Sequence, residues 1–273
     1  MLDSQNNITN KQGITALNAI INVYRITFGQ TIKSKRTIFV AILSFLPVFF
    51  TAYYRIAEPQ NLIPPNLVLH HVMIFYLLFV SMLVSLFYGT AVVGDEIDNK
   101  TIIYLFTRPI PKYAIIIGKY IAYIIGVILV VIPPILISFL IIVTDANMST
   151  DLNTTLTIFS RQIGVIVLSL LVYGSIFTFS GAMMKHAMIL GLLFAFGWEK
   201  IMLIVPGIVR KFSVVHYLVS IFPTDPSFNE AIESISKGTF SGVRSSIITI
   251  SIISVIFLAI SIIVIYKKEY KFE

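Results

Sequence analysis

The run from Tyr113 to Val143 constrains this chain more than any other stretch. Its one charge is Lys119, near one end, and most of the rest is Ile, Val, Leu, Ala or Tyr. Inside lipid a backbone finds no outside hydrogen-bond partner, so such a run must be helical. About 20 residues cross roughly 30 Å of hydrocarbon. At about 1.5 Å per residue this run reaches roughly 45 Å, so its first turns are expected to project beyond the membrane. Pro133 and Pro134 are expected to kink its far half.

Five further runs have the same character, at 37–54, 70–93, 163–183, 188–206 and 245–266. The chain is 57% hydrophobic and 12% charged over 273 residues, whereas a soluble domain carries about a quarter charged residues. The expected fold is therefore an all-α integral membrane protein with six transmembrane helices. The net charge of +7 is not organised as a basic stripe with interleaved aromatics, so nucleic acid is not an expected partner. Membrane lipid is. Cysteine is absent, which removes disulfides, thiolate metal sites and Cys nucleophiles. The first apolar run follows a long polar segment, so no cleavable signal peptide is expected.

Ahead of the first run, residues 1–36 read as a polar tail and a helix. Ile14, Leu17, Ile21, Tyr24 and Phe28 recur at helical steps, with Asn18, Asn22 and Arg25 between them. This predicts an amphipathic helix lying in the membrane interface, although the same pattern serves a helix that packs on protein. Lys33, Lys35 and Arg36 form a basic collar at the membrane edge. Thirteen of the 20 Lys and Arg fall on one side if the N-terminus is inside, six on the other, and Lys200 lies within a span. The positive-inside bias then puts both termini, including the tail 267–273, in the cytoplasm. A multi-pass protein of the cell membrane is expected. Between spans five and six, Val214, Tyr217, Leu218 and Ile221 predict one short outward helix. A second is expected from Asp225–Pro226 to Gly238. In the fourth span Gly174 and Gly181 lie on one face and permit close helix contact.

The segment 94–119, GDEIDNKTIIYLFTRPIPKYAIIIGK, is the longest polar interruption in the N-terminal half. Asp98 or Asn99 can cap a short helix, on which Ile102, Leu105 and Phe106 share one apolar face. Pro109 disfavours helix at Arg108, and Pro111 suits the first turn of the next helix. The acidic cluster with Glu96, the Lys100–Thr101 pair, Arg108–Pro109 and Gly118–Lys119 together resemble the first cytoplasmic loop of ABC-2-type transporter permeases. The resemblance implies that this loop carries a coupling helix that docks into a cleft on an ATP-hydrolysing subunit. Asp95, Glu96, Lys100, Thr101, Ile102, Leu105, Phe106, Arg108, Pro109 and Lys119 would be the coupling residues. It also implies a second permease copy, as a homodimer, with two ATPase subunits that bind ATP and Mg. The short helices between spans five and six are a further point of similarity.

No cofactor and no catalytic residues are expected in this chain itself. Gly118–Lys119 lacks the upstream glycine and following Ser/Thr of a phosphate-cradling loop. Asp95 and Glu96 have no partnering His or metal-ligand set, so a solvated or coupling role is preferred to catalysis. His70 and His71 are adjacent and do not face each other on a helix. Met183, Met184 and His186 suit packing better than soft-metal binding. Glu199 and Lys200 are charges placed within a span, where charge is expensive and often functional. With Trp198 they are candidates for gating or the substrate path, or they anchor the turn to the outward helices.

The expected function is the permease subunit of an ATP-driven ABC-2-type exporter, with no enzyme activity of its own. Spans almost free of charge suggest a hydrophobic or amphiphilic cargo. An ion-coupled carrier or channel would place carboxylates or broken helices at mid-membrane, and only Glu199 and Lys200 qualify. A membrane assembly factor that moves nothing is the third reading.

Overall fold

The apolar runs become long helices whose polar side chains are satisfied by their own backbone or by a neighbouring helix. The computed structural model describes residues 16–57, 64–98, 111–144, 151–184, 186–204, 208–223 and 241–267. Among these the protein is all-α, with no strand. Helix α1 is Ala16–Ile32 and α2 is Lys35–Ala57. Helix α3, Pro65–Phe75, passes through a π-helical turn, Tyr76–Val80, into α4, Ser81–Asp98. Helix α5 is Lys112–Val143 and α6 is Leu152–Met183. Helix α7, Ala187–Leu193, continues through a second π turn, Phe194–Trp198, into α8, Glu199–Ile204. A 3-10 turn at Ile208–Phe212 leads to α9, Val214–Ile221. Helix α10 is Val243–Lys267.

Five helices among the described residues are long and apolar enough to cross a membrane: Lys35–Ile56, Pro65–Ile97, Lys112–Val143, Leu152–Met183 and Val243–Lys267. The expected fifth span, 188–206, is the composite of α7 and α8 and is not among them. The second and fourth crossing helices form the centre. Their most apolar windows are 67% and 61% buried, against 11% for the last helix.

Glycine decides how those two helices meet. A side chain at Gly181 would stand 2.5 Å from the Thr90 carbonyl, and one at Gly89 would stand 3.1 Å from the Gly174 carbonyl. In lipid, where apolar side chains gain little by leaving the solvent, such close backbone contact is a main source of helix association. Tyr123 of α5 closes the seam from the third side. Its ring occupies the space beside Gly174 that a Cβ would take, at 2.3 Å. Its hydroxyl donates to the Leu170 carbonyl at 2.8 Å and meets the Ser85 hydroxyl at 3.0 Å.

Two details add to the expectations. Of the α1 stripe, Leu17 and Ile21 face outward, at 66% and 44% exposure, and Tyr24 and Phe28 are half-buried, while Ala19 is buried and Val23 faces α5. A Cβ on Gly118 would stand 2.8 Å from the Ile20 carbonyl and 3.0 Å from Val23. The helix therefore packs on α5 at Ala19, the Ile20 backbone and Val23, and leaves Leu17 and Ile21 exposed. Second, α6 begins at Leu152, eleven residues before the expected 163. Thr155, Thr157 and Ser160 donate their hydroxyls to carbonyls three or four residues back. That internal satisfaction carries a polar sequence as helix. Pro111 stands just before the first helical residue of α5, with ψ of 131°, rather than inside its first turn.

Candidate functional site

Two polar clusters interrupt an otherwise apolar bundle, and span two contributes to both. The first flanks the segment 99–110. Asp95 and Glu96 lie in the last turn of α4, where the apolar run ends. Arg36, in the first turn of α2, makes a two-pronged contact with both Asp95 carboxylate oxygens at 2.8 Å. Lys119 of α5 pairs with Glu96 and donates a second hydrogen bond to the Val92 carbonyl at 3.2 Å. The two pairs differ in surroundings. The Arg36 and Asp95 side chains are 47% and 45% exposed, those of Lys119 and Glu96 11% and 24%. The Tyr88 hydroxyl donates to Thr37 at 2.6 Å, and Thr37 donates to the Thr31 carbonyl, tying the corner between α1 and α2 to α4. A polar cavity of 660 Å³ lies among α1, α2, α4 and α5, with Gln30, Tyr88 and Tyr123 in its wall.

The second cluster is centred on Glu199, which is fully buried. Its carboxylate accepts from the Ser213 hydroxyl at 2.7 Å and from the backbone N–H groups of Val214 and Val215 at 3.2 and 3.1 Å. These are the first residues of α9, so Glu199 caps that helix from outside. A negative charge there also complements the helix dipole. Tyr173 lies beside the carboxylate, outside hydrogen-bond geometry. Lys200 turns the other way and donates to the Leu78 carbonyl at 3.2 Å, inside the π turn of span two. The indole of Trp198 reaches the Phe212 carbonyl at 3.4 Å.

Helix α9 is held at its far end as well. Gln162 donates to the Pro223 carbonyl at 3.3 Å and contacts His70 at 3.3 Å, while Phe222 packs on the His70 ring. His216 meets Ser241 at 3.1 Å ahead of α10. Burial holds His216 below the ordinary imidazole range, and the charges of Arg210 and Lys211 push it the same way.

Of the residues proposed for coupling, Asp95, Glu96 and Lys119 are thus brought together. Lys100, Thr101, Ile102, Leu105, Phe106, Arg108 and Pro109 lie outside the described residues, as does the expected helix 225–238. Trp198, Glu199 and Lys200 share one turn but serve three different partners. His71 is directed to the Leu67 carbonyl at 2.7 Å, away from His70. No group of three or more His, Cys, Asp or Glu among the described residues could hold a metal ion. Sequence reasoning missed Arg36, Tyr123, Gln162 and Ser213. Arg36 was visible only as part of a basic collar, and its partner lies 59 residues away.

An all-α bundle with long apolar helices and buried polar clasps defines a multi-pass membrane protein. The chain belongs to the ABC-2 family: the family model described as "ABC-2 family transporter protein" matches residues 31–198. It is accordingly the membrane subunit of an ABC transporter, and family membership implies an ABC ATPase subunit as partner. The matched region contains Asp95, Glu96 and Lys119 and stops at Trp198, one residue before the buried carboxylate. Among curated proteins none matches the chain.

Proposed function

We propose that this chain is the permease subunit of an ATP-driven exporter, with two copies working beside two separate ATPase chains that bind ATP and Mg. The carrying observation is the ion-paired base formed by Arg36–Asp95 and Glu96–Lys119, which ties the end of span two to spans one and three. The motion of an ATPase docked beside this base can then pass into the helices. Under the N-inside orientation this base faces the cytoplasm. The cargo is hydrophobic or amphiphilic, in keeping with the near absence of charge along the spans. The ion-coupled alternative loses support because Glu199 is already held by three donors and Lys200 by a carbonyl.

Phe106→Ala tests the docking role. Loss of a buried aromatic anchor costs about 2 kcal/mol or more, roughly thirtyfold in affinity. At matched expression the ATPase should be largely lost from purified Phe106→Ala and retained by Thr107→Ala. Equal retention by Phe106→Ala and the unaltered protein would show that this segment is not the docking element.

A further inference from the structure

A second cavity, of 570 Å³, opens between α2, α4 and the start of α7, next to the Arg36–Asp95 pair. Its lining changes character with depth. Lys35 and Arg36 stand at the first turn of α2 and form the rim. One turn further in, Phe39 and Phe87 meet edge to face at 5.1 Å, and Met188 and Ile189 of α7 complete an apolar wall. Phe39 and Ile189 are 52% and 67% exposed, so this wall runs into the lipid-facing surface of the bundle. Arg36 already uses its fork on Asp95. Lys35 has no carboxylate partner among the described residues, which leaves the rim with one surplus positive charge.

We propose that this cavity holds an anionic phospholipid, its phosphate at Lys35 and one acyl chain along Phe39, Phe87, Met188 and Ile189. A cationic rim beside an apolar wall that opens onto the lipid-facing surface offers separate places for a phosphate and for an acyl chain. The volume lies in the range of sites for small molecules, roughly 300–1,000 Å³. Because the Arg36–Asp95 pair forms the shared wall between this cavity and the polar one, a bound lipid would bear directly on the base of the loop. The site requires only the membrane reading of the bundle, not export.

The test compares the full-length protein and two variants in bilayer nanodiscs of phosphatidylcholine containing a minor share of phosphatidylglycerol. Lipid retained after extraction is read by native mass spectrometry. The unaltered protein should retain phosphatidylglycerol in preference to phosphatidylcholine. Lys35→Gln should lower that retention about fivefold, the effect expected for one interfacial charge. Lys33→Gln removes an equal charge two residues earlier, outside the cavity, and should leave retention unchanged. Equal loss in both variants would reduce the effect to diffuse surface attraction and overturn the proposal. So would equal retention of both lipids, displacement by inorganic phosphate, or a change confined to self-association, which would assign the face to a second copy of the chain.

Discussion

Replacing Glu199 is the most direct test of how α9 is held. Glu199→Ala removes one acceptor from three buried donors, the Ser213 hydroxyl and the amides of Val214 and Val215. Hydrogen bonds to a charged group contribute about 1.5–3 kcal/mol each, and orphaned buried donors cost about 1–3 kcal/mol each. Two effects oppose that loss. Burying an ionised carboxylate costs several kcal/mol, which the substitution recovers in part. Ser213 stands at the N-cap of α9 without capping it, and once freed its hydroxyl can rotate to do so, worth about 1 kcal/mol. The net cost is about 2–4 kcal/mol, which corresponds to a fall in unfolding midpoint of roughly 5–10 °C. A local readout separates release of α9 from general weakening. The chain has no cysteine, so Ser220→Cys provides a single reporter on the half-buried side of α9. Labelling there should accelerate in Glu199→Ala, with Glu199→Gln between the two. An unchanged midpoint together with unchanged labelling would refute the capping role.

At the base of the loop, Glu96→Gln should destabilise by about 1–3 kcal/mol because it strands a nearly buried Lys119, whereas Asp95→Asn breaks an exposed pair worth about 0–1 kcal/mol; thermal unfolding of both in one detergent decides the ranking. Gly181→Ala should cost about 1–3 kcal/mol by forcing span four away from the Thr90 carbonyl, while Gly164→Ala, which has nothing within 4 Å, should be neutral or stabilising by up to about 1 kcal/mol through helix propensity. For His216 the sign follows from a folded-state pKa below the ordinary 6.5. Its contribution is complete above that value and is lost as pH falls below it, because the unfolded chain takes up the proton first. The drop in midpoint between pH 7 and pH 5 should therefore shrink in His216→Phe.

The helices were readable because lipid leaves the backbone no alternative, so length and hydropathy nearly determine the element. Which face packs was not. On α1, Leu17 and Ile21 point away from the protein, while Ala19 is buried and the helix meets α5 at the Ile20 carbonyl and Val23. In lipid a large apolar side chain is as well placed outside as inside, and packing selects small residues that let backbones approach. The start of α6 was hidden because Thr and Ser read as loop formers, while here they bond to their own helix. Glu199 stood out in the sequence as a charge within a span. Its donors lie 14 to 16 residues on, across a turn, and no periodicity links them. Arg36 and Asp95 meet only because spans one and two run side by side, a tertiary fact absent from either segment alone.

These magnitudes divide the bundle into a stiff part and a lightly tied part. Spans two and four touch backbone to backbone at Gly89, Gly174 and Gly181, and Tyr123 of span three is wedged against the same seam with its hydroxyl bonded to both. Sliding these helices past one another would drive a tyrosine ring or a carbonyl into space already filled, at a cost that rises steeply with displacement. Span one is held differently. Its polar ties to span two include one exposed ion pair, the Thr37–Tyr88 contact and the hydrogen bond from the Tyr76 hydroxyl to the Ser44 carbonyl at 2.7 Å. Each contributes about 1 kcal/mol or less net. The last helix is the least covered, with 11% of its apolar window buried, but it packs along span four. A force applied at Asp95 and Glu96 would therefore move spans two, three and four together, and the looser seam is the one between spans one and two. The Glu96–Lys119 pair sits inside the stiff part and travels with it, whereas Arg36–Asp95 crosses a boundary and must stretch or break. The weaker of the two ion pairs is thus the one placed where movement is least resisted.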